Sequence, residues 1–146
     1  MNLVLSMQIS ASGLNAQRTV LRVIAENMAN VQTTRTEAGG PYLRKKAILS
    51  PTPVSSPFAD LLHARLLPEG LGVQVADIFE DPHGLKSVFD PSHPDADETG
   101  QVLLPNVNLM EEMVALLSAS RVYEANVAAF NAAKTMALRA LEIGSK

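Results

Sequence analysis

The sequence predicts a mainly α fold with a small β-rich middle: a long helix at each end, the two pairing as an antiparallel coiled coil, and a Pro-rich β region inserted between them. Three observations predict it. All nine prolines lie between Pro41 and Pro105, and proline, with its fixed φ and missing amide donor, is excluded from helix interiors. Between Leu109 and Ile143 there is neither Pro nor Gly, and good helix formers dominate. In both flanks apolar residues recur at every seventh position, the period that keeps one stripe facing a partner along a left-handed supercoil.

Residues 1 to about 33 form the first helical pattern. Met7, Leu14, Leu21 and Met28 repeat at seven, Ile24 and Val31 fall on the adjacent seam, and Gln8, Asn15, Arg18, Arg22 and Glu26 occupy the other side. Gly13 costs on the order of 1 kcal/mol inside a helix relative to Ala. Either it permits a close backbone approach, or the helix begins near Ser10 or Ser12. Residues 31–36 then leave the helix, and Gly39-Gly40-Pro41 closes the region.

The middle region, residues 36–105, reads as short strands between turns. Residues 42–49 look like a strand carrying the basic patch Arg44-Lys45-Lys46. Residues 50–56, with Pro51, Pro53 and Pro57 in and beside them, cannot be a central strand and are expected to be an extended loop. Residues 61–67 suit a helical turn or a short strand equally. Residues 72–79 alternate as a strand with Val73 and Val75, residues 85–89 are its expected partner, and Asp81-Pro82-His83-Gly84 supplies the turn between them. A polar loop at 90–100 precedes a last short strand at 101–104.

The C-terminal helix completes a discontinuous helical unit, residues 1–35 with 106–146. Asn108 and Glu111 have capping-box spacing at its start. Leu109, Leu116, Tyr123, Phe130 and Ala137 recur at seven, and Met113, Val127 and Leu141 lie on the neighbouring seam, which Ser120 and Lys134 interrupt. Such a helix would extend roughly 50–55 Å, so it needs a partner of similar length, and the first helix is that partner. Leu117, Val122, Met136 and Leu138 lie off the main seam. A two-stranded pair leaves them uncovered, and large exposed apolar stripes mark interfaces, which favours polymerisation or docking.

Composition narrows the function classes. The chain has 146 residues, 47% of them apolar, with six aromatic rings and no Trp, so any core is built from Leu, Val, Ile, Met and Ala. With no Cys, disulfides, thiolate metal sites and Cys nucleophiles are excluded. The net charge of −3 gives no basic footprint for nucleic acid. It resides in the middle: cations and acids number three against two in residues 1–40, five against nine in 41–105, and four against four in 106–146. No apolar run is long enough for membrane insertion, and the N-terminus lacks the pattern of a cleavable secretory signal.

Candidate chemical sites are weak. Asp95, Asp97, Thr99 and Gly100 match four positions of a calcium loop, but Asn106 stands where the bidentate Glu belongs and Pro94 blocks an entering helix. A solvated turn is the better reading of residues 95–106. His83 and His93 lie near Asp81, Asp90 and Asp95 without any nucleophile context, and His63 stands alone, so no catalytic residue, cofactor or metal site is assigned.

Several linked motifs resemble the bacterial flagellar axial proteins, the rod, hook and hook-associated families. They are Ala11-Ser12-Gly13-Leu14-Asn15-Ala16-Gln17-Arg18, and Asn27-Met28-Ala29-Asn30-Val31-Gln32-Thr33-Thr34. Gly39-Gly40-Pro41-Tyr42 with Arg44-Lys45, the stretch from Asp90 to Gly100, Pro105-Asn106-Val107-Asn108, and Arg121 with Tyr123-Glu124-Ala125-Asn126-Val127 are similar to the proximal rod members. Met28 replaces a common Ile, Gln101 stands where a Tyr commonly follows the loop glycine, and residues 51–67 match least. The resemblance implies a structural, non-enzymatic rod subunit whose terminal helices pair, line a central export channel and polymerise. It implies as partners other copies of the chain, other rod proteins, the motor (MS) ring and the export gate, and a location in the basal body across the periplasm. Export through the flagellum's own type III path would fit the missing signal. The alternatives are another rod- or hook-type axial protein, or, in a different class, a small calcium-binding module.

Overall fold

The computed structural model describes residues 3–53 and 71–144. The expectations for 54–56, Pro57, His63 and residues 61–67 lie outside the described residues. Helix α1 spans Leu3–Ala29 and runs unbroken through Gly13. It stops before residue 33 because Asn30 intercepts the last turn: its backbone N–H and its Nδ2 both donate to Glu26 O, at 3.1 and 2.8 Å. Val31 therefore lies past the helix end. Gly39 and Gly40 have φ of 86° and 79°, a left-handed pair that side chains disfavour. They turn the chain so that Thr36 N–H donates to Gly40 O at 2.9 Å.

Strands β1 (Arg44–Pro53) and β2 (Leu71–Asp81) form an antiparallel two-stranded sheet, from Arg44 opposite Asp81 to Pro53 opposite Leu71, with a bulge between Ile48 and Leu49. Residues 50–53, expected as loop, thus belong to the ladder. With only two strands each is an edge, where proline's missing donor is tolerated. Strands β3 (Lys86–Phe89) and β4 (Gln101–Leu104) form a second antiparallel pair. The expected β2–β3 hairpin does not form. Instead Asn106 Nδ2 donates to the carbonyls of Asp81 and His83 at 2.8 and 2.6 Å, tying the end of β2 to the segment that enters the last helix. Gly84, at φ 81°, then redirects the chain. The polar loop closes β3 on β4, with Asp90 N–H donating to Gly100 O at 2.9 Å.

Helix α2 spans Leu109–Gly144. Asn108 caps it: Met110 N–H donates to Asn108 Oδ1 at 3.1 Å. Glu111 reaches back as the spacing predicts, but it accepts from the Asn108 side-chain amide at 3.0 Å rather than from the backbone.

The two helices pack against each other, and α1 also carries β1 and β2. Two close approaches fix the direction: Gly13 abuts the Asn126 side chain, and Asn27 Nδ2 lies 3.2 Å from Glu112 Oε2. The helices are therefore antiparallel, and the approaches are fourteen residues apart on each (13 to 27, 126 to 112). Most of the buried residues along the helix pair are small or polar. Gly13, Ala16, Val23, Ile24 and Asn27 are buried on α1, and Glu112, Ala119 and Ala133 on α2. Tyr42, Val102 and Val107 extend this core under the base of the helices.

Candidate functional site

Two features distinguish the surface and interior of the helix pair: a buried polar junction at one end, and an outward apolar face on α2. The junction begins with Asn27, which is only 1% exposed and uses both ends of its amide. Its Oδ1 accepts from Tyr42 Oη and Lys45 N–H, each at 2.9 Å, while Nδ2 donates to Lys45 O at 2.9 Å and to Glu112 Oε2. In effect Asn27 replaces a strand neighbour for β1 at Lys45.

Glu112 is equally buried, at 1%, and its other oxygen receives Arg44 Nε at 2.7 Å with Arg44 NH2 beside it. Removing a carboxylate from water is tolerable only with such charge-assisted partners. Glu111 approaches the same guanidinium at 3.8 Å from the exposed side. Asn106 Oδ1 accepts the Arg44 N–H at 2.8 Å, so β1 is held by two asparagines, one from each flank of the chain.

Tyr42 is pushed up to about 12, by burial first and then by the carboxylates of Glu26, Glu80 and Glu112. Its phenol therefore stays neutral and keeps donating to Asn27. Lys45 lies over its ring at 5.7 Å, between Glu26 at 3.6 Å and Glu80 at 3.9 Å.

The motif residues singled out in the sequence are concentrated here. Asn27, Tyr42, Asn106 and Asn108 are in or beside the junction, and Pro105 is fully buried next to it. Asn30 ends α1, and its Oδ1 accepts from Thr33 Oγ1 at 3.1 Å. Gly40 makes the turn into β1. Ser12 Oγ accepts Val73 N–H at 3.1 Å, pinning β2 to α1 near Gly13. Arg121 is exposed on α2, remote from the junction. Arg44 and Glu112, the charged centre of the cluster, were not singled out as a pair; the available signal was Glu112 at seven-residue spacing from Ala119.

The seam residues divide. Met7, Leu14, Leu21 and Met28 on α1, with Val31 beyond it, are half-buried, and Ile24 is buried. On α2, Leu116, Tyr123, Asn126, Val127 and Phe130 are half-buried, but Leu109 and Met113 face solvent. The most buried α2 positions are instead 112, 119 and 133. The off-seam residues Leu117 and Leu138 are 62% and 52% exposed, and Met110, Val114, Leu141 and Ile143 are still more open.

The acidic loop is occupied by its own chain. Asp95 accepts from Thr34 Oγ1 at 2.8 Å and faces Arg35 at 3.8 Å. Asp97 Oδ1 accepts from Thr99 Oγ1, Thr99 N–H and Gln101 N–H at 2.7 to 2.9 Å. The Thr99 hydroxyl, ahead of the Gln101 amide, holds Asp97 below the ordinary carboxylate range. Among the described residues no three His, Asp or Glu side chains converge to hold a metal ion. His93 Nδ1 accepts Asp95 N–H at 3.1 Å, a turn contact. No described helix is long and apolar enough to cross a membrane.

Residues 99–143, which include β4 and nearly all of α2, match the family described as flagellar basal body rod FlgEFG protein C-terminal. Over almost its whole length the chain is similar to proteins named flagellar basal-body rod protein FlgC. Identity is 45% to that of Borreliella burgdorferi, covering 98% of each chain. It is 43% to that of Bacillus subtilis, covering 95% of this chain and 96% of the relative. It is 35% to that of Salmonella typhimurium, covering 93% of each.

Proposed function

This chain belongs to the FlgC family of flagellar basal-body rod proteins, and from that premise we propose that it polymerises through its terminal helices as part of the rod's torque-bearing wall. Members of the family are structural components of the rod and not enzymes. The helices would pair as a coiled coil facing a central export channel. Residues 1–35 with 106–146 would form the axial unit, and residues 36–105 the part packed outside it.

The observation that carries this reading is the outward face of α2. Met110, Val114 and Leu117 near its start and Leu138, Leu141 and Ile143 near its end are each more than half exposed, and clustered exposed apolar side chains mark interaction surfaces. The half-buried set on both helices, from Met7 to Met28 and from Leu116 to Phe130, serves the intrachain pairing. Leu117 and Leu138 serve contacts between subunits. Heterologous contacts that do not close on themselves build a helical tube, and many small apolar contacts distribute a twisting load.

Partners of this chain are then further copies of itself and other rod proteins, with the motor (MS) ring at the base and the export gate during assembly. The rod would cross the periplasm, and the subunit would reach it through the flagellum's own export path. Leu117→Asp tests the reading, because Leu117 is exposed and its loss spares the intrachain seam. The purified variant should unfold at the wild-type urea concentration, while cells carrying it make no rods and do not swim. Normal rods and motility would sink the proposal.

A further inference from the structure

We infer that the Asn27–Arg44–Glu112 cluster is a conformational latch, which makes the docking of β1 and the pairing of the two helices one all-or-none event. Glu112 belongs to α2, yet the groups on its two oxygens come from elsewhere: Asn27 of α1 on one, Arg44 of β1 on the other. If β1 lifts away, the carboxylate loses its guanidinium while still buried in the helix seam. Asn27 simultaneously loses Tyr42 Oη, Lys45 N–H and Lys45 O. A buried charge and a buried amide without partners cannot persist in a low-dielectric seam, so the helices must part at that end. If the helices part first, Arg44 loses Glu112 and β1 loses the side chain that stands in for a neighbouring strand. No two of the three elements make a satisfied arrangement without the third.

The rest of the seam offers these polar groups no replacement. Away from the junction its fully buried positions are Gly13, Ala16, Ala119 and Ala133, which bury little apolar area each, flanked by the half-buried Leu14, Leu116, Tyr123 and Phe130. Gln17 Oε1 is buried there with no hydrogen-bond partner, a cost rather than a gain. The junction is therefore the end of the helix pair that depends on β1, and the helix faces proposed for assembly keep their pairing there only while β1 is seated.

Native-state hydrogen exchange by mass spectrometry on the full chain, across a urea series, tests this. In the wild type, amides in residues 20–29, 44–47 and 109–116 should open with one common free energy and one urea dependence. Glu112→Gln and Arg44→Met should each raise exchange in all three segments by about 100-fold or more, and the double variant should exchange no faster than the worse single one. The β3–β4 pair should be protected as before. Three different opening free energies in the wild type would overturn the latch. So would acceleration confined to residues 109–116 in Glu112→Gln. If neither variant folds, the wild-type isotherms decide the matter alone.

Discussion

Gly13→Ala is the sharpest test of how closely the helices approach. At an unencumbered helix position Ala is better than Gly by about 1 kcal/mol, because Gly loses more backbone entropy. Here the new Cβ would lie 3.0 Å from Asn126 Nδ2 and 3.1 Å from Cγ and Oδ1. Ordinary carbon contacts begin at about 3.5 Å, so the amide must retreat by about half an ångström inside a packed seam. Overpacking of this kind costs about 1–3 kcal/mol. The net expectation is a loss of about 1 kcal/mol, or about 3 °C in Tm for a chain of this size. Asn126→Ala removes the obstacle. In that background Gly13→Ala should stabilise by about 0.5–1 kcal/mol, giving a coupling of about 2 kcal/mol between the two sites. Urea unfolding followed by far-UV circular dichroism, with m-values compared, measures all four corners. A Gly13→Ala variant more stable than wild type in the native background would refute the reasoning, since the seam would then have room to spare.

Three further outcomes are expected. Tyr42→Phe removes the donor to Asn27 Oδ1 and should cost about 1–2 kcal/mol. Because burial raises Tyr42 from the ordinary tyrosine value of 10.0 to about 12 in the fold, its contribution is full below pH 10 and lost as pH rises through 12; the variant should lack that alkaline loss in urea midpoints. Asp81, Asp90 and Asp97 are held below 3.8, chiefly by hydrogen bonds from Lys46, the Ser92 hydroxyl and the Thr99 hydroxyl. Their contribution is present above the unfolded value and lost as pH falls through the lower folded values, so the urea midpoint should decline as pH drops below about 4, and Asp97→Asn should flatten that decline. Gly100→Ala places a Cβ 3.0 Å from the Phe89 ring and 3.2 Å from Pro91 at φ 74°, and should destabilise by about 1–3 kcal/mol in the same assay.

The two helices were legible because proline segregation and a seven-residue period are strong, local signals. Half of the seam was not. Reading for apolar residues selects Met113, Val127 and Leu141, whereas the deepest α2 positions, 112, 119 and 133, are Glu and Ala. The same seven-residue spacing is there, but its residues are small or charged, and for Glu112 only the partners Arg44 and Asn27 explain why it turns inward. The strand pairing misled for a different reason. Neighbouring segments usually pair, and residues 81–84 carry good turn chemistry, yet Asn106 captures their carbonyls and β2 pairs instead with β1 across residues 54–70. Asparagine side chains can replace backbone partners, and no periodicity announces it. Asn27, Tyr42 and Asn106 were recognisable as motif residues, while their joint task on β1 is a property of three dimensions.

The smallness of the seam also has a mechanical meaning. Glycine and alanine have no χ angles, so where Gly13, Ala16, Ala119 and Ala133 form the contact there are no rotamers to shift under load. At those positions backbone meets neighbouring side chain almost directly, and the shear compliance of long Leu or Met side chains is confined to the half-buried flanks of the seam. The slack lies on the outside, in the flexible tips of Met110, Leu117 and Leu138. A twisted wall of such units would strain between its subunits before it strained within one.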